Sequence, residues 1–253
     1  MRKEVGYEVM KLNDEISTFR MAVEVVGETE GLTLVYCRYT ASCISVLNFM
    51  RQSGISQESS ALYHGGLLEE EKDAVVARAR SGQLKVLVST MAFGLGVDLA
   101  QVAKVITVGK FDSLLDIAQL AGRAGRLEGR MSICSVLFSP DLIAKESRKE
   151  RERTGGYEGF EEMVRMDREI FLQWIYNDDD CRLVAMSKFL HGVQSTCFVA
   201  GTLKCDCCRR AIANFTLYAF KISSEFIVLT RSTFLGPVAQ KFLWPLLLFP
   251  VWL

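Results

Sequence analysis

Five short, almost wholly apolar runs alternate with stretches of helical spacing through the middle of the chain. This alternation constrains the fold more than any other feature of the sequence. Leu32-Thr33-Leu34-Val35-Tyr36-Cys37 is the first run, followed by Ala61-Leu62-Tyr63, Lys85-Val86-Leu87-Val88-Ser89, Val102 to Val108, and Met131 to Phe138. Runs without a polar alternate suit strands buried on both faces, as in a parallel sheet. Between them, residues 41–50, 68–79 and 114–121 carry apolar positions at helical spacing, and the second is rich in Glu in its first turn, which suits a helix dipole. Strands alternating with helices predict an α/β domain, a parallel sheet with helices on both faces. Ligands of such sheets are expected at the carboxyl ends of the strands.

Outside this block, residues 8–27 carry Val9, Leu12, Ile16, Phe19 and Val23 at helical spacing and read as one helix. The charged stretch 145–155 reads as a solvated helix face or a linker, and is the best boundary candidate. Residues 156–192 read as helical, with Phe160, Met163, Met166, Ile170, Leu172 and Trp174 as core. The expected organisation is an N-terminal helix or linker over 1–29, an α/β lobe over 30–144, a small mainly helical subdomain over 145–210, and an apolar tail over 211–253. The tail ends KFLWPLLLFPVWL, where Pro245 and Pro250 break any helix. It reads as a buried extension, a partner surface, or the product of a misread gene boundary.

Composition narrows the partners. Thirty Lys and Arg balance thirty Asp and Glu, so contact with a nucleic acid requires a local groove and not a general basic excess. No run of 18 apolar residues is present, which excludes an ordinary membrane span. The first twenty residues contain no apolar core of the signal-peptide kind, so a reducing intracellular compartment is expected. Of the eight cysteines, Cys181, Cys197, Cys205, Cys207 and Cys208 crowd together, and only two histidines exist. A local cluster of this kind points to a metal and not to a disulfide scaffold.

Two stretches carry chemistry. In the loop Ser89–Asp98, Gly94 and Gly96 let backbone approach a ligand, and Asp98 is placed to bond a ribose hydroxyl or a neighbouring arginine. In Gln119-Leu120-Ala121-Gly122-Arg123-Ala124-Gly125-Arg126 two arginines stand three apart among small residues. One helical turn would point both the same way. Their fixed forks suit phosphate oxygens and the charge of a transferring phosphoryl group.

Together with Tyr36-Cys37-Arg38 and Tyr63-His64-Gly65-Gly66-Leu67, these stretches occur in an order that resembles superfamily 2 helicases, and the RecQ family most of all, over about 30–140. The resemblance implies the second RecA-like motor lobe of an ATP-dependent 3′–5′ DNA helicase, acting in recombination and repair in the nucleus or another DNA-containing compartment. It implies Arg126 as the arginine finger and Arg123 as its companion. Gln119 would sit near the nucleotide, ATP with Mg, or couple it to DNA. Gly94, Gly96 and Asp98 would lie on the nucleotide side, and His64 and Thr90 on the DNA side. RecQ-like proteins follow this lobe with a zinc subdomain that begins in Cys-Arg and ends in Cys-Asp-x-Cys. Cys181-Arg182 and Cys205-Asp206-Cys207-Cys208 match those ends, which implies zinc on Cys181, Cys197, Cys205 and Cys208. The step from Cys197 to Cys205 is longer than in many bacterial members, so Cys207 stands as an alternative ligand.

The phosphate loop of such a motor, G-x-x-x-x-G-K-[ST], does not occur in these 253 residues. The one Gly-Lys pair, Gly109-Lys110, is followed by Phe111, and Asp14-Glu15 is followed by Ile16-Ser17 and not by the end of an Asp-Glu-x-His motif. The expectation is a chain that alone neither hydrolyses ATP nor unwinds DNA, and that works with a separate first lobe or docks on a complete helicase. A non-catalytic DNA- or helicase-binding module and a degraded gene copy are the competing readings.

Overall fold

The computed structural model describes residues 3–94, 99, 102–126, 131–153 and 158–216. Six strands, β1 (Val5–Lys11), β2 (Leu32–Cys37), β3 (Ser60–Tyr63), β4 (Val86–Ser89), β5 (Val102–Val108) and β6 (Ser132–Phe138), form one sheet in the order β1-β6-β5-β2-β4-β3. Every pairing is parallel. Helices α1 (Glu15–Glu28), α2 (Thr40–Gln52), α3 (Glu69–Arg80), α4 (Leu114–Ala121), α5 (Pro140–Arg153), α6 (Glu158–Tyr176) and α7 (Arg182–His191) complete the element order, with a single 3-10 turn at Met91–Gly94.

Alternation along the strands divides the core in two. Leu34 and Tyr36 of β2, Leu87 of β4 and Val136 of β6 join residues of α4, α6 and α7 on one face. Val35 and Cys37, Val86 and Val88, and Leu137 join α1, α2 and Leu142 on the other. Both faces are buried, which explains why the central strands read as unbroken apolar runs.

The expected helix over 8–27 is two elements. Val5, Tyr7 and Val9 alternate with period two and face the first core, and β1 pairs with β6 from Val5↔Ser132 to Lys11↔Phe138. Asp14 then starts α1: its carboxylate accepts the Ser17 N–H at 2.7 Å, while Ser17 Oγ accepts the Asp14 N–H at 3.0 Å. Glu8, midway along β1, is buried beside Lys104 Nζ at 3.3 Å and accepts from Ser135, its register partner. The segment 1–29 is therefore part of the lobe and supplies an edge strand.

A boundary at 144/145 falls inside α5. The segment beyond it shares the first core through Phe171, Trp174, Ile175 and Met186. Met166, expected in that core, is exposed, and Phe171 takes the buried position on the helix. Phe160 and Met163 lie outside the residues whose side chains are described. The chain divides into two compact units, Met1–Cys208 and Arg209–Leu253. Of the second, the described part is helical to residue 216. Among the described residues no helix is long and apolar enough to cross a membrane.

Candidate functional site

The site residues fall at three places in the first unit. The first is the end of α4. Ser113 Oγ caps the start of this helix by accepting the Asp116 N–H at 3.3 Å. Its far end closes in a tightening turn, Gly122 N–H to Ala118 O at 3.0 Å and Arg123 N–H to Leu120 O at 3.0 Å. Arg123 and Arg126 thus lie on the turn beyond α4 and not on the helix, because α4 ends at Ala121 with Gly122 as its cap, and Gly125 then adopts φ +64°. Arg126 Nε donates back to the Gly122 carbonyl at 3.3 Å. Both arginines are half-buried, and the charge of both acts on the buried phenol of Tyr36. They share one side of the turn even though the helical spacing expected of them does not apply.

Gly125 of this turn stands near the strand beginnings. α4 leaves the carboxyl end of β5 and runs back, so its last turn arrives near the strand beginnings. Gly125 lines a cavity of about 400 Å³ with Gly31, Val102 and Ser132, which stand at the starts of β2, β5 and β6. Gln119 is exposed and lines a different recess of about 610 Å³ with Tyr7, Leu190 and His191, between β1, α4 and α7.

The second place is the carboxyl end of β3 and β4. Thr90 N–H donates to Tyr63 O at 3.2 Å, which sets Thr90 beside the turn that begins at His64. In that turn His64 Nδ1 accepts the Gly66 N–H at 3.1 Å. The imidazole of this half-buried residue is oriented by that bond. Gly94 closes the 3-10 turn that follows Thr90, whereas Gly96 and Asp98 lie outside the described residues.

The third place is the cysteine cluster. The thiols of Cys181, Cys197, Cys205 and Cys208 all lie within 4.8 Å of one another. Cys181 and Cys197 sulfurs stand 3.5 Å apart, and Cys181 and Cys205 sulfurs 3.9 Å apart. Four thiolates in a tetrahedron about 2.3 Å from zinc would stand about 3.8 Å apart, so the donor set fits that ion. Two backbone N–H groups already serve the sulfurs, Arg182 to Cys205 at 3.4 Å and Cys197 to Cys181 at 3.3 Å. Hydrogen bonds from its neighbours hold the Cys181 thiol well below the usual range. Cys207 lies toward Asp206 Oδ1 at 3.8 Å and groups with Cys205 and Asp206, while Cys197 and not Cys207 belongs to the four-thiol group.

Three comparisons with known proteins bear on this arrangement. Residues 17–128 match the helicase conserved C-terminal domain. The rat ATP-dependent DNA helicase Q5 is 28% identical over 201 residues, covering 74% of this chain and 19% of the relative. The Caenorhabditis elegans ATP-dependent helicase wrn-1 is 27% identical over 229 residues, 90% of this chain and 21% of the relative. Residues 17–128 carry a helicase C-terminal domain, and the chain is similar to RecQ-like helicases over that lobe. Among solved structures, Saccharomyces cerevisiae Dbp5 bound to RNA and ADP BeF3 shares the fold at a TM-score of 0.50 and 16% identity, over 66% of this chain and 46% of that one. The chain thus spans about a fifth of the length of these two helicase relatives.

The first unit contains buried couplings that pattern reading missed. Arg182, with 1% of its side chain exposed, is bidentate to Asp206 through Nε to Oδ1 and Nη2 to Oδ2, both at 3.0 Å. The same guanidinium donates to Trp174 O at 2.5 Å and to Asn177 O, while Trp174 Nε1 donates to Arg182 O at 3.0 Å. The Arg of Cys-Arg and the Asp of Cys-Asp-x-Cys therefore form one buried tie between the cysteine cluster and α6. A charged residue beside each cysteine run was the available signal.

At the other end of β2, Arg38 pairs with Asp112, which Arg168 of α6 also approaches at 3.7 Å. Behind this pair Glu146 accepts the Lys110 N–H at 2.6 Å and the Ser42 hydroxyl at 3.2 Å. Burial pushes the Glu146 carboxyl up to about 7, against these hydrogen bonds and the charges of Arg38 and Lys110. Gly109 makes room for it: with φ +87°, a Cβ there would stand 2.5 Å from Glu146 Oε2.

Proposed function

We propose that this chain is the second motor lobe and cysteine-rich subdomain of an ATP-dependent 3′–5′ DNA helicase, acting with a first motor lobe that supplies the phosphate loop. The observation that carries the reading is the arginine turn: two half-buried guanidiniums held on one side of the α4 terminus, over Tyr36. When bound between lobes, ATP with Mg supplies the phosphoryl group whose transfer drives stepping. Arg126 is the finger that reaches its phosphates and Arg123 its companion, both as permanent cations whose forks suit phosphate oxygens. Gly94, Gly96 and Asp98 belong to the nucleotide side, and Gln119 couples nucleotide to DNA from its exposed place on α4.

His64 and Thr90, adjacent at the strand ends, form the DNA side of the lobe. Their place at the ends of β3 and β4 supports DNA across the strand ends, with nucleotide against the face covered by α4. Cys181, Cys197, Cys205 and Cys208 hold a structural zinc with no open position for chemistry. DNA is the partner, and the place of action is the nucleus or another DNA-containing compartment.

The test mixes the full chain with a separately produced first lobe that carries a phosphate loop, and measures DNA-stimulated ATP turnover. Turnover above that of the first lobe alone, falling by about 10³-fold or more in Arg126→Ala, is the expected result. Turnover that Arg126→Ala leaves unchanged, or none in the mixture, would refute the reading.

A further inference from the structure

Tyr36 is fully buried at the penultimate position of β2, yet its hydroxyl meets no hydrogen-bond partner. Its register partner on β5, Thr107, is buried with an unpartnered hydroxyl as well, so the two do not satisfy each other. A phenylalanine would fill the same volume without a stranded polar atom, and a buried hydroxyl left unpaired is costly. The surroundings show what the oxygen faces. Ala121 and Ala124, on either side of the α4 terminus, share its core cluster, and the small side chains let the arginine turn come down over the ring. Arg123 acts on the phenol more strongly than Arg126 does, each favouring its ionisation against the rise that burial imposes. Arg126 is meanwhile held by the Gly122 carbonyl.

We propose that Tyr36 is a positioning residue for the arginine turn: its hydroxyl oxygen accepts an N–H from Arg123 when a phosphate group engages the turn. A phosphate that draws Arg126 off the Gly122 carbonyl shifts the whole turn, since Gly122 and Arg126 are joined through the bend at Gly125. Arg123 then settles on the phenol, and the stranded oxygen gains a charge-assisted bond. Tyr36 touches neither nucleotide nor DNA, and works by fixing the direction of Arg123. The inference rests on the proposed phosphate-facing role of the two arginines.

The test uses the full chain, labelled at arginine Nε and at tyrosine Cζ, with inorganic pyrophosphate as the probe. In the wild-type chain, pyrophosphate should shift the Arg123 and Arg126 Nε–Hε signals, assigned through Arg→Lys variants, together with the Tyr36 Cζ signal. In Tyr36→Phe the Arg126 signal should still move while the Arg123 signal stays near its free position. In the two-lobe mixture the same variant should lower kcat about tenfold with the KM for ATP nearly unchanged, as loss of one hydrogen bond to a charged group would. An Arg123 shift that survives Tyr36→Phe overturns the proposal. So does a still Tyr36 Cζ signal in wild type while both arginines move, a result that needs no variant. If pyrophosphate moves neither arginine in the wild-type chain, the phosphate-facing reading fails first and this proposal falls with it.

Discussion

Replacing Asp206 by Ala should destabilise the first unit severely, and the structure sets the size. Asp206 is 9% exposed at its side chain, and Arg182, with 1%, has no route to water. Both carboxylate oxygens bind the guanidinium at 3.0 Å. Removing one member of a buried pair leaves the other charge uncompensated and costs about 3–5 kcal/mol. Here Trp174 O at 2.5 Å, Asn177 O and the exposed carboxylate of Asp178 at 3.4 Å remain as acceptors. They place the loss at the lower end, about 3 kcal/mol. For a unit of this size that is a fall in Tm of about 6–12 °C. Urea unfolding and thermal melting measure it directly. Asp206→Asn, which keeps an acceptor oxygen, should lose about half as much. Since Asp206 holds no position in the four-thiol set, the metal content of the folded variant should match wild type. A loss below about 1 kcal/mol in Asp206→Ala would show that the guanidinium reaches water or another acid, and would refute the idea that this pair ties the cysteine cluster to α6.

Three other outcomes follow from the same geometry. Zinc should bind at about one per chain and be lost from Cys205→Ser and Cys208→Ser but kept in Cys207→Ser, as elemental analysis of the folded proteins would record; retention in the first two would overturn the assigned set. Gly109→Ala should destabilise by about 2 kcal/mol or more, because its φ of +87° and the 2.5 Å approach to Glu146 Oε2 both oppose a side chain; melting temperatures equal to wild type would contradict that. Glu146 has its folded pKa near 7, above the ordinary 4.5, so the folded state holds the extra proton between these values. Its contribution to stability is therefore most favourable below about pH 4.5, declines as pH rises toward 7, and is a constant penalty above. Glu146→Gln should remove that slope and gain about 1–3 kcal/mol on wild type at pH 8, and parallel stability–pH curves for the two proteins would refute it.

What the sequence displays and what it conceals differ by a physical rule. β5 and α4 were readable at their observed limits, Val102–Val108 and Leu114–Ala121, because local signals bound them: an apolar run, a Ser cap, a glycine after the last turn. β1 was not, since its strand identity comes from pairing with β6, more than a hundred residues away, and Glu8 puts on its other face a charge that Ser135 and Lys104 meet. Cys-x-x-Cys spacing pointed to a cysteine cluster, and the four thiols named from it do come together. The Arg182–Asp206 tie joins residues 24 apart through a third helix and has no spacing signature. The two arginines were visible as a pair, but their helical rationale failed, because α4 ends at Ala121, before either of them.

Tyr36 links the two groups of the candidate site through the packed face of the sheet. His64 and Thr90 stand where β3 and β4 end, Gly125 of the arginine turn lines a cavity at the starts of β2, β5 and β6, and Tyr36, on which both arginine charges act, pairs with Ser89 near the carboxyl end of β2. The connection runs through the face between them. Phe93, in the turn immediately after Thr90, is 1% exposed and packs edge-on against Tyr63 at 4.8 Å. It shares its core cluster with Tyr36, Ala121 and Ala124. Close-packed aromatic and small residues transmit displacement because they leave no void to absorb it. A displacement at Thr90 would reach Phe93, which belongs to the same packed layer as Tyr36, Ala121 and Ala124. Coupling by a packed layer requires that Tyr36 be large and buried, and β2 places it so.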